Sequence, residues 1–155
     1  SKNRRSFLEL FKQELKRLKR YNKNFALLMM DIDHFKKVND SFGHDIGDKV
    51  LKLLVATSYS VLRGSDIFGR WGGEEFIILL PETDLHQASS VAERLRKSLA
   101  KSELAADNGT IVNFTVSIGL TIVEDKNILI DDIIKIADNA LFMAKNQGRN
   151  RVVLL

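Results

Sequence analysis

Apolar residues recur in two rhythms along this 155-residue chain, and the switch between them marks out its elements. Phe7, Phe11, Leu15 and Leu18 repeat at helical spacing and predict a helix over 6–22, with Ser6 and Glu9 fitting a capping box and Asn3 a rival cap. Residues 25–32 carry an unbroken apolar run up to Asp31 and predict a strand covered on both faces, hence central. A short helix is expected over 34–41, ending near Gly43. A longer one over 45–62 sets Ile46, Val50, Leu53, Leu54, Thr57 and Val61 on one face. Strands at 66–71 and 74–80 flank a Gly72-Gly73 turn and read as a hairpin. Phe76 to Leu80 is apolar throughout, so the second of these is also central. Residues 84–102 predict a helix with Ala88, Val91, Leu95 and Leu99 inward, and 103–110 a loop. Over 113–123 the alternation of Phe114, Val116, Ile118, Leu120 and Ile122 predicts a strand. A last helix over 130–147 is ended by Gly148, and a short strand follows at 151–154.

The predicted order is α-β-α-α-β-β-α-β-α-β. The hairpin must be antiparallel, whereas the helical connections allow parallel pairing elsewhere. The expected class is therefore α/β (α+β), a mixed sheet with helices packed on it. No repeat, low-complexity stretch or Pro/Gly/Ser-rich linker divides residues 1–155, which read as one domain. That layout alone defines no function.

Composition narrows the chemistry. Cysteine is absent, which excludes disulfide scaffolds, thiolate metal sites and cysteine nucleophiles. The longest clean apolar runs, Phe25–Met30 and Phe76–Leu80, are far short of the ~20 residues a membrane helix needs. The net charge of +4 is uneven, because residues 1–20 hold eight Lys/Arg against two Glu. A basic first helix is either a solvated face or a nucleic-acid or acidic-membrane patch. Few aromatics are interleaved with these cations to stack on bases, so no nucleic-acid partner is expected.

The carboxylates are placed more informatively. The first central strand ends in Asp31-Ile32-Asp33, and the other begins with Glu74-Glu75 directly after two glycines. If these strands are antiparallel neighbours, Asp31 and the glutamates share one sheet edge. Like charges crowd there unfavourably unless a cation or proton offsets them. Hard oxygens without thiol or imidazole suit Mg²⁺, which takes its remaining ligands from water and substrate phosphates. The bland alternative is polar strand ends and a plain turn. Asp31 and Asp33 would point to one face and Ile32 to the other, so periodicity cannot choose between the aspartates. Asp31 ranks first because it directly follows the buried run. Gly72 and Gly73 lack Cβ atoms and permit close approach of a ligand to the backbone.

Other polar residues have both bland and functional readings. Lys145 and Arg149 flank the end of the last helix, as dipole partners or phosphate contacts. Lys36 follows the first acidic cluster. Asn39 and Asp48 are helix-terminal polar groups, or an amide and a carboxylate able to receive the N–H donors of a guanine edge. Arg63 and Asp66 are a surface ion pair or a clamp on guanine and phosphate. His34 and His44 are not read as metal ligands.

With these residues in view, the sequence resembles the GGDEF diguanylate cyclases. Arg70-Trp71-Gly72-Gly73-Glu74-Glu75-Phe76 looks like their signature, with Glu74 keeping the carboxylate of the Asp in the family name and Trp71 where Tyr is frequent. Asp31-Ile32-Asp33-His34-Phe35-Lys36, Asn39-Asp40 and Phe42 to Asp48 resemble an earlier block. Val116 to Gly119 resembles a third, and Ala137-Asp138 through Gly148-Arg149-Asn150 a fourth. The four ordered blocks run from about Asn3 to Val152, and their spacing is what makes the match specific.

The resemblance implies a mixed, mainly antiparallel central sheet flanked by helices, similar to nucleotidyl cyclase and polymerase palms. It implies condensation of two GTP into cyclic di-GMP, with Mg²⁺ (or Mn²⁺) held by Asp31, Glu74 and the Ile32 carbonyl. Glu75 either joins the metal or activates the attacking hydroxyl. Gly72 and Gly73 admit the phosphates, Asn39 and Asp48 read guanine, and Phe35 and His44 line the nucleotide pocket. Lys36, Lys145 and Arg149 touch phosphates. Arg63, Asp66 and Arg94 match an inhibitory product site. The expected setting is a homodimer during catalysis, an upstream sensory domain in a longer protein, and a cytoplasmic location or the cytoplasmic part of a membrane-anchored protein. The usual Asp-x-Leu-Thr segment ahead of the Asn-Arg-Arg entry is not in these residues. The expected alternative is a non-catalytic module that binds GTP or cyclic di-GMP as a signal.

Overall fold

A computed structural model of the chain describes residues 2–155. Helix α1 (Arg4–Tyr21) leads into strand β1 (Phe25–Ile32), followed by α2 (Phe35–Phe42) and α3 (His44–Val61). Strands β2 (Ile67–Arg70) and β3 (Glu75–Leu80) form the hairpin, and α4 (Leu85–Ala100) follows. A small ribbon, β4 (Leu104–Ala105) with β5 (Ile111–Val112), precedes β6 (Val116–Val123), α5 (Ile130–Asn146) and β7 (Val152–Leu154).

The main sheet has the order β2-β3-β1-β6-β7. All its pairings are antiparallel except β6 with β7, which is the mixed, mainly antiparallel sheet expected. Strand β1 is central and every residue in it is buried. Its even positions, Ala26, Leu28, Met30 and Ile32, pack with α3 and α4 residues such as Val50, Leu54, Ala92 and Leu95. Its odd positions, Phe25, Leu27 and Met29, pack with Phe7, Phe11 and Leu18 of α1 and with Ile133, Ala137 and Leu141 of α5. Helices cover both faces, so a continuous apolar run rather than an alternating one is what β1 requires.

The structure corrects four local expectations. Asn3, not Ser6, caps α1, since its side chain accepts from the Ser6 N–H. The loop over 103–110 contains β4, too short a strand for any period to register. On α3 the buried position is Ser58 rather than Thr57. On α4, Ala92 is buried fully and Val91 only partly. The hydrophobic side of α4 is opened by an Asp84–Gln87 capping box. Among the described residues no helix is long and apolar enough to cross a membrane.

Two close approaches shape the functional edge. A Cβ on Gly119 of β6 would meet backbone atoms of α5 at 2.2 and 2.3 Å, so glycine there lets α5 lie directly on the sheet. Lys2 bridges Gly69 in parallel, with its N–H donating to Phe68 and its carbonyl receiving Arg70 N–H, which ties the start of the chain to the hairpin.

Candidate active site

Strands β1 and β3 run antiparallel with Asp31 directly opposite Glu75. Directly opposed residues point to the same side of a sheet. The end of one strand thus delivers Asp31 beside the start of the other, and the Ile32 N–H donates to the Glu74 carbonyl at 3.4 Å. Trp71 and Gly72 N–H groups both donate to the Glu75 carbonyl, at 2.8 and 3.2 Å, and close the glycine turn. Arg70 braces it from outside, through Nε and Nη2 to the Gly73 carbonyl at 3.1 and 2.5 Å.

Asp31 is 4% exposed. Its Oδ2 is ion-paired with Lys145 Nζ from α5, while its Oδ1 is buried and has no partner. Burial pushes the Asp31 carboxyl above the usual range against the opposing pull of Lys145. Burial, then the Asp31 charge, push Glu74 and Glu75 upward as well, and Asp138 of α5 adds to the effect on Glu75. Three carboxyls therefore resist ionising together, which is the condition a bound cation relieves.

Among the described residues no three acidic or imidazole groups already close on one metal-sized point, and the cation beside Asp31 is Lys145. The donors nevertheless fit a hard divalent ion. They are all oxygens, one is buried and orphaned, and their joint charge is in excess.

Hydrogen bonding distinguishes the two aspartates. Asp33 accepts from Thr115 Oγ1, Ser117 Oγ and the Asn150 N–H at 2.7, 2.6 and 3.0 Å. Its oxygens are occupied by the protein, whereas Asp31 keeps one free.

The remaining expected residues fall into groups. Lys145 reaches the carboxylates. Arg149 stands exposed four residues later, and Lys36 and His44 are exposed at the starts of α2 and α3. Phe35 is half-buried against the core. Asn39 Oδ1 is buried without a partner, next to Gly47, where a Cβ would sit 1.8 Å from it. Asp48, one residue on, is exposed. A cleft of about 290 Å³ lies beside this region, between Leu51, Lys52 and Val55 of α3 and Arg70 and Phe76 of the hairpin. A larger cavity of about 460 Å³ lies on the other flank of α2, against Phe42 and Phe114, and includes none of Asp31, Glu74 and Glu75.

Arg63 and Asp66 form more than a surface pair. The Asp66 side chain is fully covered, accepts from the Arg63 N–H at 2.8 Å and pairs with its guanidinium at 3.2 Å. Arg63 Nη2 also donates to Thr83 Oγ1 at 2.9 Å. Arg94 is exposed on α4 and has no hydrogen bond to either.

Two residues to which the sequence reading gave no role stand beside the carboxylates and the turn. Asp138 lies two helical turns before Lys145 on the same face of α5, and a helical projection from Lys145 finds it. Arg4 stacks on the Trp71 ring at 4.0 Å and donates to the Trp71 carbonyl at 2.9 Å. No local signal reports a contact across 67 residues.

Residues 2–151 match the family model described as "Diguanylate cyclase, GGDEF domain". The chain is 43% identical over 151 residues to diguanylate cyclase DgcM of Escherichia coli K12, covering 97% of this chain and 36% of that protein. It thus spans about a third of that relative's length. Its fold matches diguanylate cyclase SiaD of Pseudomonas aeruginosa, solved with its activator SiaC, with a TM-score of 0.95 and 39% identity, covering 99% of this chain and 58% of that one. It also matches the GGDEF domain of DgcB from Caulobacter crescentus in complex with c-di-GMP, with a TM-score of 0.93 and 27% identity, covering 98% and 90%.

Proposed function

The chain belongs to the GGDEF domain family of diguanylate cyclases, and on that premise we propose that it condenses two GTP into cyclic di-GMP and two pyrophosphates. The observation that carries this reading is the register that sets Asp31 opposite Glu75, with Asp31 Oδ1 buried and unpartnered. A receptor for a finished signal needs no such crowd of carboxylates.

Asp31, Glu74 and the Ile32 carbonyl would hold Mg²⁺, or Mn²⁺ in its place, with Glu75 beside them. When bound, the ion supplies Lewis-acid polarisation of the α-phosphate and lowers the pKa of the attacking hydroxyl. The protein supplies position and charge. Lys145 and Arg149 lie at the end of α5 nearest the acidic edge and would meet the triphosphate, with Lys36 on the α2 side. The Gly72-Gly73 turn, closed onto Glu75 by two N–H groups, offers the triphosphate backbone without side chains. Asn39, with an orphaned acceptor, and Asp48 suit the N–H donors of guanine, and Phe35 and His44 border the base. Glu75, whose carboxyl is pushed up by burial and by Asp31, is suited to take the 3′-hydroxyl proton.

Each site would hold one GTP, so two domains must face each other as a two-fold pair to join both halves. Regulation by an upstream domain that brings copies together follows from that requirement. The Arg63–Asp66 pair is the proposed product-inhibition site, with Arg94 as its outlying support. Incubating the protein with GTP and Mg²⁺ and separating the products by chromatography tests the proposal. Cyclic di-GMP and pyrophosphate are expected. Binding of GTP without turnover at any protein concentration would favour the receptor reading.

A further inference from the structure

Asp33 is 5% exposed and is not used by the mechanism above, yet it is the most heavily hydrogen-bonded carboxylate at the site. Two of its three donors are hydroxyls of the 115–117 segment beside it in the sheet. The third is the backbone N–H of Asn150, which lies in the turn after α5. That turn is unusual. Gly148, Arg149 and Asn150 have φ values of 125°, 64° and 45° in succession. Glycine adopts this region freely and asparagine tolerates it, but Arg149 does not. Something must hold Arg149 there.

Besides the bond from Arg151 Nε to the Arg149 carbonyl at 3.1 Å, two ties hold Asn150, one on each side. Asp33 Oδ2 takes the Asn150 N–H from the sheet side. Arg96 of α4 donates through Nη1 to Asn150 Oδ1 at 2.9 Å, and is itself gripped by Glu93 at 3.1 and 2.9 Å. Arg149 lies between Asn150 and the end of α5, where its own N–H donates to the Ala144 carbonyl at 3.0 Å. Among the described residues its guanidinium has no hydrogen-bond partner, so what the structure fixes of Arg149 is its backbone, from which the side chain starts.

We propose that Asp33 is a positioning residue that holds the Gly148–Asn150 turn, and so aims Arg149 at the triphosphate, rather than a second metal ligand. The phosphate role of Arg149 rests on the function proposed above; the tie between Asp33 and the turn does not.

The test uses the whole chain with Asp33→Asn, Arg96→Ala and Ser117→Ala. The probes are guanosine and a non-cyclising α,β-methylene GTP analogue, each titrated across a Mg²⁺ series. Asp33→Asn is expected to weaken the analogue about tenfold, leave guanosine unchanged and leave the Mg²⁺ midpoint in place. In the nucleotide-free protein the Asn150 amide proton, downfield while it faces a carboxylate, should move upfield. Arg96→Ala should weaken the analogue in the same direction, by about threefold. Ser117→Ala removes a donor from Asp33 without touching the turn; it should lower thermal stability and leave analogue affinity at the wild-type value.

An Asn150 amide that does not move, or a Mg²⁺ midpoint that shifts in Asp33→Asn, overturns the proposal. So does a Ser117→Ala variant that loses affinity in step with its stability, because Asp33 would then be only structural. Failure of the wild-type chain to bind either probe is a distinct result. It overturns the functional reading and Arg149's role together.

Discussion

The two oxygens of Asp31 stand in opposite situations: Oδ2 is ion-paired with Lys145, and Oδ1 is buried with nothing to accept from. Burial pushes the Asp31 carboxyl up, and Lys145 is the charge that opposes that push. Lys145→Met should leave that carboxylate without a counter-ion. Removing one partner of a partly buried pair is expected to cost about 1–2 kcal/mol, below the range for a fully buried pair because Lys145 is partly exposed. Thermal unfolding in EDTA and in Mg²⁺ checks this. The variant should melt lower in EDTA and recover part of the difference in Mg²⁺. Equal melting of variant and wild type in EDTA would show that Lys145 does not support Asp31.

Gly47 predicts a separate effect on base recognition. A Cβ there would fall 1.8 Å from Asn39 Oδ1 and 2.9 Å from its Cγ, and these atoms belong to a side chain that is able to swing away. Gly47→Ala should therefore keep the fold and displace the Asn39 amide. Loss of a hydrogen-bonded guanine contact is worth about 1–3 kcal/mol, so guanosine binding should fall roughly tenfold or more. Calorimetric titration with guanosine, alongside a melting curve, reads both. Undiminished guanosine affinity would remove Asn39 from the base site.

Much of this arrangement is legible in the sequence, and what is hidden has physical causes. The apolar runs of β1 and β3 reveal central strands because burial on both faces excludes polar residues from them. Asp31 and Glu75 are legible for the same reason, as charges abutting such runs. The choice between Asp31 and Asp33 is not legible, because alternation places both on one face. The two are set apart by hydroxyls and a backbone N–H more than 80 residues away, which fill the oxygens of Asp33. The start of α1 misleads because Asn3 and Ser6 both satisfy cap chemistry, and only the backbone path selects Asn3. The β4–β5 ribbon has two residues per strand, below the length at which a period of two registers.

Glu14 supplies a pH prediction away from the site. It is buried on α1, its Oε2 has no partner, and Arg17 is 3.7 Å from its other oxygen. Burial pushes its carboxyl above the ordinary value. The folded chain then takes up this proton more readily than the unfolded chain. Its ionisation is destabilising above the folded pKa, and that cost disappears as pH falls through the folded value to the unfolded one. Glu14→Gln should stabilise the protein by about 1 kcal/mol at neutral pH. The gain should vanish at the acid end of the carboxylate range. Urea unfolding of both proteins at the two pH values checks the sign. A gain that persists in acid would mean that packing, not charge, is responsible.

Gly119 tests how the sheet delivers α5 to the site. A Cβ at this position meets the Ala137 carbonyl oxygen at 2.2 Å, the Leu141 nitrogen at 2.3 Å and the Ala140 carbonyl carbon at 2.9 Å. All three belong to helix backbone, which cannot rotate aside as the Asn39 side chain can, so the whole helix must lift. α5 buries Ile133, Ala137, Ala140, Leu141 and Ala144 against the sheet and carries Asp138 and Lys145 to the carboxylates. Gly119→Ala is expected to cost about 3 kcal/mol, the upper part of the range for overpacking, because backbone has to yield. Gly73→Ala is the matched control: no atom lies within 4 Å of its Cβ position, so its stability should stay within about 0.5 kcal/mol of wild type. Comparing the two by chemical unfolding separates the packing of α5 from glycine content as such. Similar losses for both would show that contact between α5 and Gly119 does not set the cost.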